Sequence, residues 1–315
     1  MTDDPSRPRV RFIRVDETHA GQRVDNFLLR ELRGLPRSRL YRLLRTGEVR
    51  VNRGRVRANH RLAAGDEVRL PPMYRPEQSP RQLELSPGLA RRLRAAILHE
   101  DSHLLAVNKP AGMAVHGGSG LSWGLIEAYR SLRPDLPDLE LVHRLDRDTS
   151  GCLLLAKRRS GLRSLHQLLR DNEMDKRYQA LVAGHWPAAL QQVDQPLARD
   201  QLRSGERLAR VSPEGRPSLT RFRVLQRFDS ATLVEARPIT GRTHQIRVHA
   251  QVAGHPILGD DKYGDRDASM AARDHGLRRL FLHAHSLRFP WREATLHLVA
   301  PLEPSLQAVL NSLQP

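Results

Sequence analysis

The spacing of apolar residues predicts two structural parts separated by a proline-rich stretch. In the first part, residues 9–16 alternate between polar and apolar side chains, which predicts a short strand. Two helices follow, one before Pro36 and one from Pro36 to the capping glycine Gly47. Their apolar faces consist of Val24, Phe27, Leu28 and Leu32 in the first helix and Leu40, Leu43 and Leu44 in the second. A hairpin turning at Arg53-Gly54 and a closing strand complete a predicted unit of two helices and a small sheet.

The second part of the chain has a different pattern. Residues 73–90 are rich in proline and polar residues, so they predict a linker between a domain at 1–72 and one at 91–315. Beyond the linker, short strands alternate irregularly with amphipathic helices, and few regular strand–helix–strand units occur. This order predicts an α+β fold with a mixed, largely antiparallel sheet. The apolar run at 152–157, CLLLAK, is predicted to be a buried strand.

The charge of the chain indicates a polyanionic partner. Its formal net charge is +17 and its pI is about 11.2, and arginine carries almost all of the excess. Arginine pairs with phosphate and stacks on bases, so nucleic acid is favoured. On the second predicted helix and its hairpin, a basic stripe is formed by Arg39, Arg42, Arg45, Arg50, Arg53, Arg55 and Arg57. We interpret the stripe as a nucleic-acid-facing surface rather than an ordinary solvated helix face.

The cysteine count, the N-terminal residues and the apolar pattern indicate the compartment and the assembly state. Cys152 is the single cysteine, so an intramolecular disulfide is excluded and a reducing environment is expected. The N-terminal residues lack the apolar segment of a signal peptide, and no apolar run reaches membrane-spanning length. We therefore expect a cytoplasmic protein with no membrane partner. No strong exposed apolar repeat occurs, and a monomer is expected.

Neither a metal nor a small-molecule cofactor is predicted. The pairs His244/His249 and His283/His285 match no metalloprotease motif, and no cysteine cluster accompanies them. The glycine loop at 115–122 lacks the pattern of a phosphate-binding loop. Structural or RNA-contacting roles are favoured for these histidines.

The stretch HRLDRDTSG at 143–151 carries the first candidate for chemistry. Its carboxylate, Asp146, follows Arg144 by two residues and precedes the predicted core strand. A scaffold can fix the orientation of a carboxylate at such a position, although an isolated Asp is more often part of an ordinary loop ion pair. Burial would favour its neutral form unless a cation lies beside it.

Residues 20–70 resemble an S4 RNA-binding domain. The resemblance rests on the stretch RVDNFLLRELRGLPRSRLYRLLRTGEVRVNRGRVRANHRLAAGDEV at 23–68. It implies structured RNA, rather than DNA, as the partner. The residues predicted to contact RNA in this domain are Arg37, Arg39, Arg42, Arg45, Arg50 and Arg53.

The second domain resembles the RluA family of RNA pseudouridine synthases. Five motifs occur in that family's order: NKPAGMAVHGG, HRLDRDTSG, KRYQALV, GRTHQIRVH and RLFLHAHSLRF. Together with the S4 segment they cover nearly the whole chain, and the full pattern is most similar to a member that modifies several uridines of 23S ribosomal RNA. The resemblance implies an enzyme without a cofactor whose partner is 23S ribosomal RNA. Lys109 and His143, which lie in the first two motifs, are further candidates for RNA contact.

The resemblance also implies roles for four residues. Asp146 would be the catalytic aspartate, Tyr178 the residue that stacks on the base, and Arg247 the ion-pair partner of the aspartate. Arg144 would enter the space left by the displaced base. From the residues alone, a core tyrosine at the start of a strand is the preferred interpretation of Tyr178, and Arg144 could be a salt-bridge partner of Asp146 or Asp148.

Two alternatives remain open at the level of sequence. A noncatalytic RNA-binding or ribosome-assembly protein would use the same S4 unit and basic surface. The same chemistry could also act on tRNA or another RNA, because the motifs do not specify the target uridine.

Overall fold

Two helices packed on three short strands form the N-terminal unit. Its elements are β1 (Arg11–Arg14), α1 (Val24–Glu31), α2 (Arg37–Thr46), β2 (Arg50–Val51) and β3 (Glu67–Leu70). The strands pair antiparallel in the order β1-β3-β2. The apolar positions of both predicted helices are buried in one core, except that Leu32 packs against it partly buried, because their spacing places them on a single face of each helix.

The computed structural model describes residues 10–32, 35, 37–72, 83–117, 123–201 and 207–314. The chain divides into two compact units, residues 1–83 and 84–315. Residues 73–82 of the predicted linker lie outside the described residues, and a helix, α3, spans Pro87–Ala95. The domain ranges 1–72 and 91–315 stay predictions.

The predicted hairpin of the N-terminal unit is wrong in its second arm. Asn52 and Arg53 both have positive φ, 48° and 66°, and Val51 and Gly54 exchange backbone hydrogen bonds across them. The turn is therefore centred one residue earlier than predicted. The following segment does not form a strand, because its carbonyls at 58 and 60 accept hydrogen bonds from the first amides of α1.

One large sheet dominates the C-terminal unit. Its strands are β4 (Ile97–Glu100), β5 (Leu104–Lys109), β6 (Glu140–Leu141), β7 (Ser150–Ala156), β8 (Asp175–Ala183), β9 (Gln192–Asp194), β12 (Leu219–Arg227), β13 (Ala231–Pro238), β14 (Leu282–Trp291) and β15 (Ala294–Val299). A separate hairpin consists of β10 (Leu197–Gln201) and β11 (Arg207–Val211). The helices after α3 are α4 (Leu125–Leu132), α5 (Arg159–Arg170), α6 (Gln245–Val252), α7 (Arg266–Asp274) and α8 (Pro304–Ser312).

The order of the strands confirms the predicted fold class. The main path of the sheet is β4-β5-β7-β14-β8-β13-β12-β9, with β6 beside β7 and β15 beside β14. Among the described strands, only β7 and β14 pair in parallel. The unit is therefore an α+β domain with a mixed, largely antiparallel sheet. None of the described helices combines the length and the apolarity that crossing a membrane requires.

Strand β7 is the predicted apolar run, and every one of its residues is buried. At its second residue, Gly151, the backbone has φ +112° and lies directly against Ala284 of β14. A Cβ at this position would be 2.2 Å from the Ala284 carbonyl oxygen. Only glycine allows this close approach, so the end of the preceding loop is fixed where the two strands meet.

We expect Gly151→Ala to destabilise the C-terminal unit more than a glycine substitution without a steric conflict. Overpacking costs about 1–3 kcal/mol, and a positive φ adds about 1–2 kcal/mol. All three tryptophans, Trp123, Trp186 and Trp291, belong to this unit, so urea unfolding followed by their fluorescence measures its stability.

Gly276→Ala is the matched control. Gly276 has φ +86°, but a Cβ there meets no atom within 4 Å. Gly276→Ala should therefore lose only the part of the free energy of unfolding that comes from the positive φ. Equal losses for the two variants would show that the contact with β14 is not what excludes a side chain at Gly151.

Candidate active site

The loop between β6 and β7 places Asp146 at the mouth of a cavity of about 590 Å³. Side chains from this loop, from β8 and from the turn before α6 line the cavity. Among them are Asp146, Arg144, His143, Tyr178, His244 and Arg247. Asp146 and Arg247, which are 101 positions apart in the chain, thus meet at one place.

The Asp146 carboxylate is held through one of its two oxygens. Its side chain is 22% exposed. Oδ2 lies 3.4 Å from Nη1 of Arg247 and 3.7 Å from Nε2 of His244. Among the described residues, no side chain forms a hydrogen bond or ion pair with Oδ1. The carboxylate is therefore oriented by α6 from one side, and its other oxygen is available to a ligand.

Arg247 has a second and closer carboxylate, which the sequence did not reveal. Its Nε and Nη2 donate to the two oxygens of Asp260 at 2.7 and 2.6 Å, and the Asp260 side chain is fully buried. The same carboxylate accepts the amides of Lys262 and Tyr263. The guanidinium also lies over the Tyr263 ring at 5.0 Å. Asp260 and Tyr263 thus fix the arginine so that Nη1 remains for Asp146.

Electrostatics favour the charged form of this buried pair. Burial alone would raise the pKa of Asp260, but the Arg247 guanidinium and the two amides outweigh it and lower that pKa. Burial also opposes the charge of Arg247, and its hydrogen bonds to Asp260 raise the pKa of the guanidinium in spite of it. The only signal in the sequence was a general one: an arginine in a core requires a buried partner.

His244 is a second residue that sequence reasoning did not place beside Asp146. It precedes α6 with a left-handed backbone, φ 55°, and its Nδ1 lies 2.8 Å from the Tyr263 hydroxyl. The motif GRTHQIRVH contains it, but nothing in the spacing showed that its ring faces the carboxylate.

Tyr178 lies on β8, where Ala236 of β13 and Ala284 of β14 pair with it on either side. Its half-buried ring lines the cavity. Burial, reinforced by the Asp146 carboxylate, raises the pKa of its phenol. At neutral pH the phenol therefore keeps its proton, and the cavity offers an uncharged aromatic face.

Arg144 is exposed and lines the same cavity. The salt bridges considered from the sequence are absent among the described residues: Arg247 and His244 contact Asp146, while Arg147 pairs with Asp148 at 3.2 Å. Among the described residues, the guanidinium of Arg144 therefore has no salt-bridge partner where it lines the cavity.

The prediction that Lys109 contacts RNA is wrong. Its side chain is fully buried, and Nζ donates to the carbonyls of Pro110, Met113 and Arg147, each at 2.9 Å. Three acceptors match the three N–H groups of an ammonium, although burial lowers the pKa of Lys109 to about 7. Lys109 therefore ties the turn at 110–113 to the loop that carries Asp146.

His143 also has an internal partner rather than an outward-facing ring. Its Nε2 accepts the amide of Leu154 at 3.2 Å, and burial lowers its pKa to about 4. The neutral ring forms part of the cavity wall. The Leu154 amide thus orients the His143 ring in that wall, and contact of His143 with RNA stays a prediction.

The basic stripe of the N-terminal unit lies on the surface. The exposed arginines along α2 and the following turn are Arg39, Arg42, Arg45, Arg50 and Arg53. Arg50 donates from Nε to the Gly47 carbonyl, which fixes its stem. Arg37 begins α2, and its side chain lies outside the described residues. The stripe is therefore accessible to a polyanion.

Comparisons with known proteins agree with this geometry. Residues 103–252 match the model of the RNA pseudouridylate synthase family, and residues 22–68 match the S4 domain.

In the part of the chain that the structure describes, no group of three or more His, Cys, Asp or Glu side chains could hold a metal ion.

Similar proteins cover almost the whole chain. Ribosomal large subunit pseudouridine synthase C of Pasteurella multocida (strain Pm70) is 53% identical over 97% of this chain and 94% of its own length. The protein of that name from Escherichia coli (strain K12) is 52% identical over 98% of both chains. The solved structure of human RNA Pseudouridylate Synthase Domain Containing 4 is 31% identical, covers 72% of this chain and 97% of its own, and gives a TM-score of 0.60. The chain therefore belongs to the family of RNA pseudouridine synthases.

Proposed function

We propose that this enzyme converts specific uridines of large-subunit (23S) ribosomal RNA to pseudouridine. The observation that carries the proposal is 52–53% identity, over 97–98% of the chain, to proteins named for action on the ribosomal large subunit. The S4 match and the exposed basic stripe support an RNA partner. A cytoplasmic location and a monomeric state stay predictions from the sequence.

The reaction breaks the N1–C1′ bond of uridine, turns the uracil, and joins C5 to C1′. The product has the composition of the substrate, since the C5 proton leaves and N1 gains one. To reach C1′ the enzyme has to take the uridine out of its stack. The cavity beside Asp146 is the place in the described structure that could receive the extruded nucleoside.

Asp146 supplies the carboxylate that this chemistry requires. Its Oδ1 has no partner among the described residues, while Oδ2 is held by α6. Oδ1 is therefore available either to attack the sugar or base or to abstract a sugar proton. Both routes use the same oxygen and the same neighbouring cation, Arg247.

The cavity walls supply base recognition. Tyr178 presents an aromatic face, and stacking of a flipped base on such a ring is worth about 1–3 kcal/mol. Arg144 is exposed, has no salt bridge among the described residues, and can occupy the gap that the extruded base leaves in the RNA. These two roles follow the family resemblance and the positions of the side chains.

A noncatalytic RNA-binding protein is the alternative from another class. It would need the S4 unit and the basic stripe, but it would not need a buried Arg247–Asp260 pair aimed at a second carboxylate. That arrangement favours an enzyme. If the enzyme acts on tRNA instead of ribosomal RNA, tritium will be released from tRNA transcripts and not from 23S transcripts.

Asp146→Asn should abolish catalysis and keep RNA binding. The amide has the same shape but no charge, so the reacting group is lost while the fold is unchanged. We expect tritium release from 5-tritiated uridine in 23S transcripts to fall by on the order of 10⁴-fold, with unchanged affinity in filter binding.

Asp148→Asn is the matched control in the same loop. Among the described residues, the Asp148 side chain forms an ion pair with exposed Arg147 alone, at 3.2 Å, so its loss should leave tritium release near the wild-type rate. If wild-type protein released no tritium from any ribosomal or transfer RNA, the noncatalytic alternative would be correct.

Asp260→Asn should lower both stability and activity. Removing one charge of a buried pair costs about 3–5 kcal/mol, and Arg247 would no longer be fixed against Asp146. We expect a lower urea midpoint by tryptophan fluorescence and slower tritium release. The control is Asp261→Asn, since its side chain is exposed at the adjacent position.

The acid dependence of this pair has a definite sign. The pKa of Asp260 is lowered in the folded protein, so its stabilisation is complete above the ordinary carboxyl range and is lost as pH falls through the folded pKa. The stability difference between wild type and Asp260→Asn should therefore shrink in acid. A difference that is constant from neutral pH to strongly acidic pH would contradict the role assigned to the ion pair.

Neutralising the exposed stripe should weaken RNA binding without changing turnover of bound RNA. The triple variant Arg39→Gln/Arg42→Gln/Arg45→Gln removes up to three phosphate contacts. The slope of log affinity against log salt should become shallower by about 0.7–0.9 per lost contact. Filter binding over a salt series measures the slope.

A second triple variant tests the specificity of that effect. Arg91→Gln/Arg92→Gln/Arg94→Gln removes three exposed arginines of α3 and the same total charge. This variant should change the slope of log affinity against log salt less than the first triple variant does. Equal changes in the two triple variants would indicate that net charge, rather than the S4 stripe, governs binding.

A further inference from the structure

His244 faces the catalytic carboxylate without a role in the reaction as described so far. It lies in the turn before α6, and its side chain is only 10% exposed. Nε2 is 3.7 Å from Oδ2 of Asp146, the oxygen that Arg247 also contacts. Its neighbours determine which ring nitrogen carries the proton.

The Tyr263 hydroxyl sets the tautomer of His244. The Ala209 amide donates to the Tyr263 oxygen at 2.8 Å, and Nδ1 of His244 is 2.8 Å from the same oxygen. Burial raises the pKa of Tyr263, so the phenol keeps its proton. Among the described residues, Nδ1 is the one acceptor in reach of that O–H. Nδ1 therefore accepts, and the proton of a neutral ring is on Nε2, which faces Asp146.

The backbone at His244 is held in a conformation that non-glycine residues seldom adopt. Its φ of 55° is stabilised by the neighbouring Gln245 side chain, whose Oε1 accepts from Thr240 Oγ1 at 2.7 Å and from the Arg242 amide at 3.0 Å. The side-chain Nε2 of Gln245 donates to the Leu219 carbonyl on β12. Such over-determined strain is typical of functional sites, and here it fixes the direction of the imidazole.

Burial is the main reason that the His244 ring is neutral. Burial lowers the pKa of His244, and Arg247 and Lys262 act in the same direction, against Asp146 and Asp260. At neutral pH the ring thus directs an uncharged N–H toward the carboxylate and is not a second cation beside Arg247.

We propose, on the basis of the proposed function, that His244 is a positioning residue that holds Oδ2 of Asp146 through Nε2–H. With Arg247 on the same oxygen, this contact makes Oδ1 the oxygen that meets the uridine. The distance of 3.7 Å exceeds a hydrogen bond, and contacts of this kind shorten when substrate fills the site. The Tyr263 hydroxyl acts on Asp146 indirectly, because its hydrogen bond keeps Nδ1 of His244 unprotonated.

Two substitutions separate positioning from folding. His244→Asn tolerates positive φ and keeps an amide near Nδ1 for Tyr263, but it is too short to reach Asp146. His244→Gln places an amide N–H near the position of Nε2. We expect tritium release by His244→Asn to fall about 10- to 100-fold in kcat with little change in KM, the worth of one hydrogen bond to a charged group. His244→Gln should recover most of this loss.

The tautomer is measured independently of activity. In full-length protein labelled with ¹⁵N-histidine, long-range ¹H–¹⁵N spectra should show the His244 signal, identified by its absence in His244→Gln, with Nε2 protonated and Nδ1 bare. Tyr263→Phe should populate the other tautomer or the charged ring. Melting curves of each variant identify losses due to unfolding.

The outcomes distinguish this inference from the proposed function. Wild-type protein that releases no tritium contradicts the proposed function, whereas the spectra still test the tautomer. Wild-type release together with an unchanged kcat in His244→Asn overturns the positioning role. A protonated Nδ1 in wild type overturns it as well, and so does His244→Gln with the same loss in kcat as His244→Asn.

Discussion

The buried ion pair between Arg247 and Asp260 is the interaction on which the site depends. A charged guanidinium in the protein interior is stable only when its hydrogen bonds are satisfied, and Asp260 takes two of them with good geometry. The Tyr263 ring covers the same group. Because these contacts fix Arg247, a third nitrogen is held toward Asp146 before any RNA arrives, which is the preorganisation that catalysis requires.

Buried contacts also fix the loop that carries Asp146. Lys109 binds the Arg147 carbonyl, and Gly151 is wedged against β14 directly after the loop. The cavity thus has a rigid floor of sheet and a rigid α6 beside it, while Arg144 at its entrance is exposed. Fixed support under the reacting group and an exposed cation that lines the cavity suit an enzyme that has to extract a base from folded RNA.

Local patterns predicted the local structure well, and their errors have one cause. The apolar faces of α1 and α2 and the buried strand β7 follow from periodicity within a few residues. The arm after Gly54 failed as a strand because its carbonyls cap α1, a contact between distant segments. Lys109 was a candidate for RNA contact because it lies in the first family motif, whereas its burial and its three carbonyl partners are tertiary properties.

By itself the sequence determined the family, the S4 unit, the α+β class and the identity of Asp146, Tyr178 and Arg247 as candidates, because ordered motifs and periodicity are written locally along the chain. Only the tertiary structure decided that Asp260 holds the arginine and that His244 faces the aspartate. These contacts form only on folding, because Asp260 reaches Arg247 from 13 residues along the chain and His244 meets Asp146 from a different segment. Periodicity cannot encode such contacts, since it records which face a residue takes and not which residue lies opposite.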